Sequence, residues 1–310
     1  MGNDRAAVVE WLLEGDPAIR WQVMRDLEGA SESVWRAEQE RVGAEGWGAM
    51  LLSHQDPKGR WTPRIYGKKW ISTTYTMVLL RAMGLPPRDP RALAACALFL
   101  ERGVTEDGGI GVSADGRRSD VCVTAMVLAL FYWFGFEDPT REAILDHLLA
   151  RQHEDGGWNC VREYTHSSFH TTISALEALR QCAEAGAPRQ GDIAGAEARG
   201  REFLLRHHLF RSHRTGEVVD PRFLRFSFPP RWHYDVLRGL DYFWSARHLE
   251  DPRLDEAIDV VVSKRRRDGR WPLQQRWAGE TWFEMEEVGK PSRWNTLRAM
   301  RVLEAWPGSL

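Results

Sequence analysis

The apolar residues of this chain gather into blocks about one helix long, and they do not alternate with polar ones. Five blocks, Tyr75 to Met83, Val121 to Phe134, Thr171 to Leu179, Tyr234 to Trp244 and Asn295 to Trp306, are apolar around most of their circumference. A helix of that kind belongs in an interior. The stretches before them carry apolar positions at helical spacing on one face only, as expected of a helix with one side in water. No segment keeps a period of two long enough to build a sheet. Ala6 to Leu27 reads as a further helical pair ahead of the first block.

The punctuation repeats as well. Lys58-Gly59-Arg60-Trp61, Asp107-Gly108-Gly109-Ile110, Asp155-Gly156-Gly157-Trp158 and Asp268-Gly269-Arg270-Trp271 share one register, and the first three glycines stand 49 and 48 residues apart. Thr215-Gly216-Glu217-Val218 is a weaker copy before the last. Glycine permits the positive φ of a tight turn, and the large apolar residue after it plugs the joint. Asp16-Pro17, Asp89-Pro90, Asp138-Pro139 and Asp251-Pro252 each set an N-capping aspartate before a proline suited to a first helical position. Each unit therefore reads as outer amphipathic helix, glycine turn, irregular segment and inner apolar helix. Such a period specifies a helical repeat array. The predicted fold is all-α, an α/α toroid of about six helical hairpins. A single domain over 1–310 is expected, with an N-terminal helical pair in 1–30 and about five repeats in 31–310. Closure is expected because neither end unit has the polar outer face that caps an open array.

Composition narrows the function. A net charge of −2 does not suit a nucleic-acid surface, which needs a clear basic excess. The most apolar run, Val121 to Phe136, is too short to span a bilayer. Met-Gly-Asn-Asp-Arg-Ala at the N-terminus predicts no secretory leader, and four cysteines without a CxxC pair predict free thiols in a reducing cytoplasm. Fifteen tryptophans are many for 310 residues. They either pack between repeats or line a cavity for an apolar or cationic ligand.

Two inner blocks open on chemically distinctive residues. Asp120 and Cys122 begin one, and His170 begins the next. A carboxylate, a thiolate and an imidazole are three ligands of a zinc site whose fourth position stays open for chemistry. Parallel inner helices bring their N-termini to one mouth, where helix dipoles favour anionic ligands. The plainer alternative makes Asp120 an N-cap, Cys122 a small buried hydrophobe and His170 a capping residue. Cys160 and His166 are candidate fourth ligands, or a loop cysteine and an exposed histidine. His233 and Asp235 precede the fifth inner helix at the same mouth, with His233 a candidate general base or a histidine bonded within a Pro-rich turn. Glu284, Glu286 and Glu287 are a candidate catalytic cluster or a solvated acidic loop.

The segment Leu149-Ala150-Arg151-Gln152-His153-Glu154-Asp155-Gly156-Gly157-Trp158 resembles the Gln-Trp repeat of squalene and terpene cyclases and of protein prenyltransferase β-subunits. That resemblance implies a toroid of inner and outer helices over most of the chain. Asp120-Val121-Cys122 and Ser168-Phe169-His170-Thr171 look most like the β-subunits, and the resemblance implies that Asp120, Cys122 and His170 hold a Zn2+ ion that activates a thiolate. The β-subunits' tyrosine after the zinc cysteine is Val123 here, and their diphosphate-binding arginine falls at Ala114. Their lysine is matched by Arg117, and their preceding histidine falls near Ser72. Arg117, Arg118, Lys68 and Lys69 are therefore the residues left to rebuild a diphosphate clamp, or they are a solvated basic turn. No α-subunit is implied. Against the cyclases, Cys122 and Val123 stand where the last two acids of a DxDD motif belong, and a thiol is too weak an acid to protonate an alkene.

Three functions compete on this basis. The first is a zinc-dependent toroid enzyme acting on a small apolar or isoprenoid substrate, by alkyl transfer or by cyclisation. The second is a metal-independent carbohydrate-active toroid with paired carboxylates such as Glu284 and Glu287. The third is a non-catalytic ligand-binding repeat protein.

Overall fold

The same joint, rebuilt at each repeat, explains the architecture. The computed structural model describes residues 2–67, 69–112 and 116–307. Gly59, Gly108, Gly156 and Gly269 all take positive φ, between 77° and 95°. The residue two positions on donates its backbone N–H to a threonine of the next inner helix: Trp61 to Thr73, Ile110 to Thr124, Trp158 to Thr172 and Trp271 to Thr296, at 2.9 to 3.2 Å. The three indoles also donate to the carbonyl ten residues earlier, on Leu51, Leu148 and Val261. Gln55 and Gln152 each bridge their own turn to the next outer helix, at Arg91 and Ala196. Every joint thus binds an outer helix, its inner partner and, where the glutamine is present, the following repeat.

Six inner helices form the ring: α2 (Pro17–Asp26), α5 (Thr73–Met83), α7 (Val121–Phe134), α9 (Phe169–Glu184), α11 (Val236–Ser245) and α13 (Arg293–Ala305). The outer layer is α1 (Gly2–Leu13), α3 (Glu32–Glu40) with α4 (Gly46–Ser53), α6 (Pro90–Gly103), α8 (Thr140–Ala150), α10 (Gln190–Arg206) and α12 (Asp255–Ser263). The predicted α/α toroid of about six hairpins is therefore observed. Among the described residues there is no strand, only isolated bridges such as Val104 to Ile110. The aspartate caps also form. Asp16, Asp89 and Asp251 accept from the backbone two residues on, but Asp16 starts an inner helix where the other two start outer ones.

Closure is polar. The last inner helix packs on the first, with Arg301 reaching Gln22 Oε1 at 2.6 Å and pairing with Asp26. Outside this seam, Arg5 of α1 pairs with Glu304 and Glu28. The connections are unequal. Inner-to-outer turns such as 84–89 and 135–139 are short, whereas outer-to-inner segments such as 207–235 and 264–292 are long. The long segments converge on the N-terminal mouth of the ring, whereas the described connections at the C-terminal mouth are the short ones.

Candidate functional site

The N-terminal mouth is packed with rings. His233 lies flat between Trp232 and Trp277, with centroids 3.7 and 3.4 Å away. Trp70 donates to the Trp277 and Ala278 carbonyls and meets His233 edge-on. His170 stands 5.7 Å from His233 and 5.0 Å from Trp232. Burial pushes His233 down to about 3, with His170 and Arg222 adding repulsion. Burial likewise pushes His170 down to about 4, helped by Arg238.

These contacts decide the fit of a zinc ion. His170 Nδ1 accepts the backbone N–H of Tyr234 at 2.8 Å, so the neutral ring carries its proton on Nε2. Neither nitrogen then offers a free lone pair to a metal. Asp120 opens α7 and accepts from Val112 N at 3.1 Å, and burial raises its carboxyl. Cys122 is engaged with Cys160 rather than with His170. Among the described residues no three His, Cys, Asp or Glu side chains come together as a metal site. Asp120, Cys122 and His170 do not fit Zn2+ in this arrangement, and neither Cys160 nor the exposed His166 completes the set.

The other sequence candidates scatter. Asp235 is fully buried as the cap of α11, accepting from Arg238 N, Ser227 N and Ser227 Oγ. Its oxygens are committed to structure. Arg117, Arg118 and Lys69 are exposed, and Lys69 Nζ lies over Trp70 and Trp232. Lys68 and Ala114 lie outside the described residues. Glu284 pairs with Arg276 at the surface, Glu287 is exposed, and Glu286 caps α13 through Ser292 and the N–H groups of Arg293 and Trp294.

The cysteine pair has its own chemistry. Cys160 Sγ accepts from Cys122 N, in the first turn of α7, at 3.2 Å, and from Thr171 Oγ1 at 3.5 Å. Hydrogen bonding with the Cys122 thiol, reinforced by Thr171, lowers Cys160 and raises Cys122. A thiolate held by donors at a helix N-terminus is the reactive form. Iodoacetamide is therefore expected to label Cys160 well before the buried Cys96 and Cys182, read by peptide mass spectrometry. Equal labelling of all four would contradict this.

The largest departure from expectation lies along the ring axis. Inner-helix side chains and the 228–231 segment line a cavity of about 260 Å3, and Arg81, Trp133, Glu177 and Tyr242 join it to a vestibule of about 680 Å3 at the C-terminal mouth. Six arginines line the inner cavity, Arg25, Arg81, Arg231, Arg238, Arg298 and Arg301, against two carboxyl groups, Glu177 and Asp241. Some are paired. Arg238 grips Glu177 with two bonds of 2.8 and 2.7 Å, and Arg298 Nε reaches Asp241 Oδ2 at 3.3 Å. Burial alone would raise Glu177, but Arg238, Arg81 and Arg298 together hold it below the usual carboxylate range. Asp241 Oδ1 is buried with no hydrogen-bond partner.

Sequence reasoning missed this set. Its signal was present as charges inside blocks otherwise built for burial: Arg238 and Asp241, then Arg298 and Arg301, each three apart on one helix face. A larger groove of about 1080 Å3 runs outside the ring past His166, His170, His207 and His213. Its buried polar groups are satisfied: His207 bonds Phe203 O and His213, and Asp155 bonds Ser167. The lumen wall, by contrast, carries buried charged-group atoms that make no hydrogen bond, Asp241 Oδ1, Arg81 Nε and Arg301 Nε, and it is the better candidate.

No protein-family model and no curated protein matches the chain. Solved structures do. A variant of the type II terpene cyclase MstE from Scytonema, in complex with merosterolic acid A as product, is 15% identical with a TM-score of 0.50. A second variant, in complex with geranylgeranyl dihydroxybenzoate as substrate, is 16% identical with the same score. Both alignments cover 98% of this chain and 96% of the other. At that identity the likeness establishes the fold, a terpene-cyclase-like α/α toroid.

Proposed function

We propose that this protein is an isoprenoid-converting enzyme that takes its substrate into the lumen through the C-terminal mouth. The observation that carries the proposal is the lumen wall, where Trp21, Tyr75, Trp133, Phe228, Trp244 and Trp294 surround the cavity. Aromatic faces supply apolar contact for a polyprenyl chain and stabilise cationic charge that develops along it. The ligands held by the MstE complexes support the choice of an isoprenoid, and cyclisation is the reaction to test first.

Within that reaction the lumen carboxylates act as proton acceptors. Arginine pairing keeps Glu177 ionised, which suits a base and not an acid that protonates an alkene. Asp241 Oδ1, which accepts no hydrogen bond and faces Arg301 Nη1 at 3.8 Å, takes the proton lost when a ring-forming cation collapses to an alkene.

Incubation with farnesyl and geranylgeranyl diphosphates, the corresponding alcohols and prenylated benzoates, followed by gas chromatography–mass spectrometry, tests this. The expected result is a cyclic product that falls at least about 100-fold in Asp241→Asn, consistent with loss of a general base. Tryptophan quenching by the substrate should persist in that variant. Neither product nor quenching with any isoprenoid overturns the proposal.

A further inference from the structure

Two sulfurs from neighbouring repeats meet at the N-terminal mouth, and neither lines the lumen. Cys122 stands in the first turn of α7, and Cys160 lies in the irregular segment between α8 and α9. The Cys160 sulfur accepts the Cys122 N–H at 3.2 Å and the hydroxyl of Thr171, in the first turn of α9, at 3.5 Å. It therefore sits over the starts of two adjacent inner helices, where backbone dipoles favour a negative sulfur. The Cys122 thiol is hydrogen-bonded to the same sulfur.

This placement does not depend on a loose loop. Asn159 Nδ2 donates to the His166 carbonyl at 2.9 Å, and Asn159 Oδ1 accepts the Val161 N–H at 2.9 Å. Arg162 pairs with Asp107 and donates to Ser119 Oγ at 3.3 Å. One flank of Cys160 is thus fastened to its own segment and the other to the repeat that carries Cys122. Both cysteines are half-buried, and Val161 beside them is 43% exposed, so a small oxidant can reach the pair. Cys96 and Cys182 are fully buried.

We propose that Cys160 and Cys122 form a peroxide-reactive dithiol, in which Cys160 is oxidised first and Cys122 resolves it into a reversible disulfide. The Cys160 sulfur attacks one oxygen of hydrogen peroxide. An S–O bond forms, the O–O bond breaks, and the departing hydroxide takes the thiol proton and leaves as water. The Cys122 sulfur then attacks the sulfenic sulfur of Cys160. The S–S bond forms, the S–O bond breaks, and a second water carries off the Cys122 proton. The two sulfurs together lose two electrons, and one peroxide accepts them. A small thiol reverses the bond by exchange. Oxidation fastens the segment ahead of α9 to the first turn of α7. The inference stands apart from the isoprenoid reading and can fail or hold without it.

Brief exposure of the full chain to hydrogen peroxide, followed by alkylation and peptide mass spectrometry, tests this. The peptides that carry Cys122 and Cys160 should appear joined and lighter by two hydrogens, with Cys96 and Cys182 still reduced. Dithiothreitol should return both thiols. The order of events gives a second readout that mere packing of two thiols would not move. Cys122→Ser removes the resolving sulfur, so dimedone capture of a sulfenic acid at Cys160 should rise at least about tenfold over the parent. Cys160→Ser should leave Cys122 uncaptured under the same exposure. Absence of the joined peptides in the parent, joining to Cys96 or Cys182 instead, or dimedone capture at Cys122 in Cys160→Ser matching that at Cys160 in Cys122→Ser, overturns the proposal.

Discussion

Replacing Trp158 with alanine is expected to cost about 4 kcal/mol of folding stability, within the range for deleting a buried tryptophan. The indole is fully buried and holds three elements at once. Its backbone N–H donates to Thr172 on α9, its Nε1 donates to Leu148 O at the end of α8, and its ring lies against Gly200 of α10. A Cβ on Gly200 would come within 2.9 Å of that ring, so the space is filled and has little room to collapse. Trp158→Phe keeps most of the packing but removes the indole donor, leaving the Leu148 carbonyl only the Arg151 N–H. It should cost roughly 0.5–1.5 kcal/mol, the net worth of one hydrogen bond. Urea denaturation followed by far-ultraviolet circular dichroism measures both. A loss below about 1 kcal/mol for the alanine variant would mean that the joint is not what binds the repeats.

That joint is also why so much of the fold was legible. Glycine at positive φ, a plug two residues later and an aspartate-proline helix start are local rules, and each left a mark at the same register. Even the exception obeys: the second repeat carries Ile110 where the others carry tryptophan, and it keeps the bond to Thr124. Boundaries shifted where tertiary packing took over. Inner helix α9 continues past Leu179 to Glu184, and Tyr234 stays outside α11 because Asp235 is the extended cap of that helix and the Tyr234 N–H goes to His170 Nδ1.

The site was less legible, for a physical reason. Asp120, Cys122 and His170 do gather near one mouth, as parallel inner helices require. Local demands then claim each of them: Val112 N for Asp120, Cys160 for Cys122 and Tyr234 N for His170. Residue types and spacing record who can approach a site, whereas hydrogen bonds decide what each group is free to do. The lumen arginines lay scattered over four helices and one loop, from Arg25 to Arg301, and no short motif links them. They become a set only when the ring closes.

Glu177→Ala is expected to destabilise the protein by about 3 kcal/mol, the lower end for breaking a buried pair, because the carboxylate keeps 28% exposure to the lumen. Its partner suffers most. Arg238 is 5% exposed, and besides Glu177 it donates to the His233 carbonyl at 2.8 Å, so an unanchored guanidinium disturbs the segment that carries Arg231 and Trp232. The pH dependence has a defined sign. Arg238 holds Glu177 below its unfolded value of about 4.3, so its stabilisation is complete above that pH and is lost as pH falls through the folded value. The gap in melting temperature between parent and Glu177→Ala should therefore be full at pH 7 and narrow steadily below about pH 4. The double variant Glu177→Leu with Arg238→Met should recover much of the loss, since two apolar side chains leave no charge unpaired. A gap that stays constant from pH 7 to pH 3, or a double variant no more stable than Glu177→Ala, would show that the pair does not act as one unit at the core of the ring.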